Sequence, residues 1–162
     1  MAQGDMFLEL TNNIKGESED DKFKDTIQVL SYSLGNSNAG TGGYGGGSGA
    51  GKAAFSDLSV TKYVDKSSPV LFQTCATGTH IDKATLHIRK SGDKPQEYLT
   101  IELTEAYVSS FSQSGADGAG LPSESMTLNF SKITMTYKEQ KKDGSLGAGS
   151  PIGWDLKANK KV

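Results

Sequence analysis

The chain has 162 residues, a net charge of −2, and 35% hydrophobic and 22% charged residues. That length suits one domain able to bury roughly 70% of its unfolded surface, and the composition excludes wholesale disorder and a general basic field for nucleic acid. No apolar run approaches the roughly 20 residues that span a bilayer, so no membrane insertion is expected, and a single cysteine, Cys75, excludes an intrachain disulfide framework.

The N-terminal MAQGDMFLELT has no basic n-region and no long apolar h-region, so it does not read as a signal peptide. The expectation is a protein that folds in the cytoplasm and, if exported, leaves by a route that ignores N-terminal signals. Met6, Leu8 and Leu10 then alternate with Phe7 and Glu9, the period-two pattern of a strand with one apolar face. Next comes an acidic run: Glu17, Glu19, Asp20 and Asp21, with Lys22 and Lys24. It lacks the spacing and central glycine of an EF-hand loop and reads as a solvated turn. Leu30, Tyr32 and Leu34 alternate with Ser31 and Ser33. Gly40 to Gly51 places eight glycines in twelve positions, a flexible loop that cannot form core.

Leu58 and Val60 resume the alternation. A short α-helix is predicted at about 66–77: Ser67 or Ser68 can cap it, Pro69 fits its first turn, and Gly78 can end it in the left-handed conformation. One side of it should pack on the sheet or plug a barrel end. Ala84, Leu86 and Ile88, then Leu99, Ile101 and Leu103, give two further strands with polar outer faces at Thr85, Thr100 and Thr104. Ser112 to Gly120 is a second flexible loop. Met126, Leu128 and Phe130 hold one parity, and Ile133, Met135 and Tyr137 take the other. That phase change predicts a bulge or bend near Ser131 and Lys132, as needed where a sheet curls. Seven or eight such strands point to a mainly β barrel or sandwich.

Candidate chemistry is sparse. Gly40, Gly42 and Gly45 satisfy a dinucleotide fingerprint, and Gly46, Gly51 and Lys52 resemble a phosphate-binding loop. Both need a strand before and a helix after. Here the next segment, FSDLSV, alternates as a strand, and Ala53 lacks the hydroxyl that would hold magnesium. His80 and His87 have no Cys or third His near them, so no metal site is expected. Cys75 sits among apolar residues with no activating base beside it. No convergent acid, base or nucleophile supports an enzyme, and no cofactor is implied.

The segments FSDLSVTKYVDKSSP, CATGTHI and ATLHIRK (Phe55 to Lys90) resemble the Hcp family, the tube protein of type VI secretion systems. So do IKGES (Ile14 to Ser18), VLSYSLG (Val29 to Gly35), QEYLTIEL (Gln96 to Leu103), ESMTLNFSKITMTYKEQKKDGSLG (Glu124 to Gly147) and the ending GWDLKANKKV. The match runs in order over nearly the whole chain, and the loop from Asn36 to Gly51 is its least similar part.

This resemblance implies a single Hcp-like domain over residues 1–162, a compact β-barrel of two curled antiparallel sheets with one short α-helix and a Gly-rich loop at about 36–51. It further implies homohexameric rings stacked into a hollow tube, a surrounding contractile sheath, a VgrG-like spike and effector proteins carried in the lumen. Secretion would need no signal peptide. From strand parity, Ser31 and Ser33 are candidate lumen-lining residues. Glu17, Asp20 and Asp21, Gly46 in the loop, and the basic tail Lys157, Lys160 and Lys161 are candidates for ring stacking or contacts between subunits. A secreted monomeric β-sandwich that binds a ligand is the alternative.

Overall fold

In the computed structural model, residues 4–40, 50–90, 92 and 95–162 are described. They form β1 (Gly4–Leu10), β2 (Ile27–Val29), β3 (Ser31–Ser33), β4 (Asn36–Gly40), β5 (Ala50–Phe55), β6 (Leu58–Tyr63), α1 (Ser68–Thr77), β7 (His80–Lys90), β8 (Gln96–Ser114), β9 (Ser123–Asn129), β10 (Lys132–Tyr137), β11 (Ser150–Asp155) and β12 (Lys160–Lys161). All pairings are antiparallel. The mainly β class with one short helix therefore stands.

The 19-residue β8 organises the sheet. Its first half lies between β7 and β10, and its second half pairs with β9. From β10 a wing continues to β11 and β12, and from β9 a wall continues through β6 to β3. β1 pairs with β7 on one side and β2 on the other. β4 and β5 form a separate hairpin. Among the described residues the strands do not close into a barrel by hydrogen bonding alone. The circuit returns to β1 through the covalent junction between β2 and β3, where Leu30 donates its N–H to Thr61 at 2.8 Å.

Period-two burial explains the core. Leu58, Val60, Ala84, Leu86, Ile88, Ile101, Leu103, Met126 and Leu128 are all 4% exposed or less, and each of these side chains larger than alanine stabilises the fold by roughly 1.5–3 kcal/mol. The expected phase change is present. β9 stops at Asn129 and β10 starts at Lys132, and opposite this break Glu105 takes a φ of 51°. The inward positions of β8 shift there from Ile101 and Leu103 to Ala106 and Val108. A single strand can thereby serve two differently oriented parts of the sheet.

The structure corrects five expectations from parity and capping. Phe7, on the outward parity of β1, is buried because the acidic segment lays Phe23 over it. Leu30 faces solvent, because the chain changes partner strands at that residue. Thr85 is buried, standing between Glu9 on β1 and Glu102 on β8. Met135 and Tyr137 are 41% and 59% exposed, because they lie on the β10 wing beyond the layer that covers Ile133. The helix begins at Ser68, and the Ser67 side chain does not cap it. Asp65 instead accepts the Ser67 N–H at 2.9 Å and its hydroxyl, while Ser68 Oγ accepts the Asp65 N–H at 3.0 Å. The C-terminal expectation holds, with Gly78 at φ 66°. Leu71 and Thr74 bury against the sheet, and Phe72 points outward.

Candidate functional site

Ser31 and Ser33 belong to a larger surface. Residues directly opposite one another form two unbroken rows across four strands, Ser31–Thr61–Ser125–Ser112 and Ser33–Ser59–Thr127–Ser110. All eight side chains are hydroxyls and all are partly or fully exposed. Tyr63, Ser123 and Ser114 extend the pattern by a third, shorter row. Adjacent hydroxyls bond across strands: Ser31 with Thr61 at 2.5 Å, and Thr127 with Ser110 at 2.5 Å. Such cross-strand pairs satisfy polar groups locally and pin the register. The two full rows carry no formal charge and no large apolar side chain, so they offer a wet, weakly binding wall.

The reverse side of the same strands is held by a buried ion cluster. Lys62 and Glu124 occupy the inward parity of β6 and β9, and both side chains are fully buried. Lys62 Nζ donates to Glu124 at 3.3 Å and to Ser68 Oγ at 3.3 Å, and lies 3.1 Å from Asp65. Gln113 on β8 donates to the other Glu124 oxygen at 3.3 Å. Three strands and the start of α1 are thus tied behind the hydroxyl rows. Buried charges of this kind require such complete partnering.

The acidic run is less free than the sequence suggests. Asp20 accepts two hydrogen bonds from Arg89, one of them at 2.9 Å, and caps the backbone N–H groups of Lys22 and Phe23. The Arg89 guanidinium holds the Asp20 carboxyl below its ordinary range. Phe23 stacks on Phe7 at 4.8 Å and lies 4.7 Å from the His87 ring. Glu17 and Asp21 remain exposed. Lys157 pairs with Glu105 at 2.6 Å within the same chain, while Lys160 and Lys161 are exposed on β12. Gly46 lies outside the described residues.

His87 is hydrogen-bonded by two carboxylates. Its Nδ1 is 2.6 Å from Glu97 and its Nε2 3.3 Å from Glu9. Burial works against its charge, but the two carboxylates together raise its pKa above the ordinary 6.5. A raised folded pKa means that this contribution to stability is full below about pH 6.5 and is lost as pH rises through the folded value. For Asp20 the order reverses, its contribution being present above about pH 4 and lost on acidification. His87→Gln is therefore expected to flatten the fall of melting temperature between about pH 6 and 8 expected of the parent. A pH profile unchanged by the substitution would contradict this assignment.

Parity alone puts Ser31, Ser33, Ser59 and Thr61 on outward strand faces, but it does not reveal that they lie in register with Ser110, Ser112, Ser125 and Thr127, because it does not say which strands are neighbours. It also missed Lys62 and Glu124. Their signal was present, since each continues an apolar parity, Leu58–Val60–Lys62 and Glu124–Met126–Leu128.

Known proteins resemble this chain over its length. The family model for the type VI secretion system effector Hcp matches residues 7–137. Protein hcp1 of Pseudomonas aeruginosa is 44% identical over 158 residues, covering 96% of each chain. Among solved structures, a type six secretion system protein superposes with a TM-score of 0.92 at 32% identity, covering 99% of this chain and 100% of that one. Hcp1 from Salmonella typhimurium gives 0.80 at 36% identity, with complete coverage of both chains. The fold and these matches together define a β-rich structural protein of a secretion machine. The chain belongs to the Hcp family of type VI secretion system proteins. Members of this family are secreted tube proteins and not enzymes.

Proposed function

We propose that copies of this chain close into a hexameric ring whose opening is lined by the hydroxyl rows of β3, β6, β9 and β8, and that rings stack into a hollow tube. The observation that carries this reading is the pair of Ser/Thr rows, whose eight side chains carry no formal charge. The surface is broad, in register and backed by a buried ion cluster, as a wall past which cargo slides should be. Assembly in the cytoplasm, a surrounding contractile sheath, a VgrG-like spike at the tip and effector proteins in the lumen complete the reading, on the strength of family membership.

Stacking would use the groups left exposed at the edges, Glu17 and Asp21 against Lys160 and Lys161, with the Gly46 loop reaching across. Asp20 and Lys157 are already engaged within the chain by Arg89 and Glu105, so their part in stacking would be secondary. Exposed charge pairs contribute at most about 1 kcal/mol each and are screened by salt. Tubes are therefore expected to shorten as ionic strength rises. Mass photometry of the purified protein tests the ring directly: particles of about six copies are expected, and a monomer at all concentrations would favour the ligand-binding β-sandwich instead.

A further inference from the structure

The chain contains two Asp–Gly pairs, Asp117–Gly118 and Asp143–Gly144. Such a pair carries its own chemistry. The glycine nitrogen can attack the aspartate side-chain carbonyl carbon, and with no Cβ on the glycine little hinders the approach. A C–N bond forms, the carboxyl OH leaves as water with the glycine N–H proton, and a five-membered cyclic imide results. Water then opens the ring. Addition at the side-chain carbonyl restores aspartate. Addition at the former backbone carbonyl leaves the chain running through the side chain, as isoaspartate. One water is lost and one is regained, so no oxidant or cofactor is needed. The attack has two demands: a glycine N–H free to give up its proton, and a carboxyl carrying the OH that departs.

The fold meets these demands at one pair and denies them at the other. In the β10–β11 loop, the Gly144 N–H donates to the Lys141 carbonyl at 2.9 Å, and Gly144 is half-buried. Asp143 Oδ1 accepts the Ser145 N–H at 2.9 Å and the Ser145 hydroxyl at 2.7 Å. These donors favour the ionised carboxylate and hold the Asp143 carboxyl below its ordinary range. In the β8–β9 loop, Asp117 and Gly118 are both exposed. Among the described residues, neither the Asp117 carboxyl nor the Gly118 N–H has a hydrogen-bond partner. The turn is closed around them instead, by the Ala119 N–H on the Ala116 carbonyl at 3.2 Å. Gly118 takes a φ of 76° there, as glycine does at the third position of such a turn.

We infer that Asp117–Gly118 is a site of spontaneous covalent modification, isomerising to isoaspartate in the folded protein while Asp143–Gly144 is held back. The product keeps the mass and the charge. It lengthens the backbone of the turn by one atom and frees the α-carboxylate. That change falls between Ser114 and Ser123, the pair that closes the β8–β9 ladder, so the loop beside the hydroxyl rows alters as the protein ages. The inference is independent of the ring.

The test ages the purified full-length protein at neutral pH, folded or in guanidinium chloride, and separates its tryptic peptides. Asp117 and Asp143 fall on different peptides, because Lys132, Lys138, Lys141 and Lys142 lie between them. Isoaspartate is read as a new peak of unchanged mass whose fragment ions show the lengthened backbone. In the folded protein it is expected to accumulate severalfold faster at Asp117 than at Asp143. In denaturant the two rates should converge, and Asp117→Ala should remove the Asp117 product. Asp117→Asn and Asp143→Asn then isolate the nitrogen, since an amide loses ammonia and needs no protonated carboxyl. The folded Asp117→Asn protein should still convert severalfold faster, because Lys141 continues to hold the Gly144 N–H. Conversion at Asp143 as fast as at Asp117 in the folded protein, no product at Asp117 unless the chain is denatured, or equal rates for the two folded asparagine variants would each overturn the assignment. A rate gap that persists in denaturant would also overturn it, by tracing the difference to neighbouring residues and not to the fold.

Discussion

Lys62→Met is expected to destabilise the fold by about 3–5 kcal/mol, the range for leaving one member of a buried ion pair uncompensated. The methionine fills most of the lysine volume, so the loss is electrostatic. Glu124 would remain fully buried with Gln113 as its remaining hydrogen-bond partner. Adding Glu124→Leu removes that stranded carboxylate and is expected to recover most of the lost stability, since apolar replacement of a whole buried pair is often neutral or favourable. Urea midpoints must be compared at one protein concentration, as assembly itself contributes to apparent stability. A single-variant loss below about 0.5 kcal/mol, the size of an ordinary surface change, would show that the pair does not hold α1 to the sheet.

Gly16→Ala is expected to destabilise by about 1–3 kcal/mol, the usual penalty of overpacking. A Cβ at this position would stand 2.4 Å from the Thr26 carbonyl oxygen and 2.6 Å from the Ile27 Cα. Both are backbone atoms, so no side chain can rotate aside. The segment is already fixed there, with Gly16 N–H donating to Asp25 at 2.8 Å and Ser18 N–H to Thr26 at 3.1 Å. The displacement would carry the acidic loop with it and loosen the bond between Asp20 and Arg89. Gly115→Ala is the control. Its Cβ would meet only Pro122, with the nearest side-chain atom at 3.4 Å, and a change within about 0.5 kcal/mol is expected. Equal effects of the two substitutions on the urea midpoint would contradict the close-approach explanation.

Much of the fold was legible because alternation is a local signal. The inward faces of β6, β7, β8 and β9 are set by Leu58 and Val60, Ala84 to Ile88, Ile101 and Leu103, and Met126 and Leu128. The bend between β9 and β10 could be read from the parity change after Phe130. What parity cannot supply is strand order. The hydroxyl rows exist only because β3, β6, β9 and β8 are neighbours, and the β6–β9 adjacency at their centre joins residues as distant in sequence as Ser59 and Thr127. Charge also hid a signal, since Lys62 and Glu124 interrupt apolar runs and read as surface until their partners are known. Met135 and Tyr137 are the instructive case. Parity gave them an apolar face, but the wing carries that face beyond the layer that covers Ile133, so it stays exposed.

The most direct measurement of the central claim is the accessibility of Ser31→Cys in assembled and dissociated protein, using a maleimide attached to a carrier too large to enter the ring. Cys75 is first replaced by alanine, so that the introduced thiol alone reports. The account predicts labelling of dissociated subunits and protection in stacked rings that show an open centre under negative stain. Equal labelling of both states would place the hydroxyl rows on the outside and contradict it.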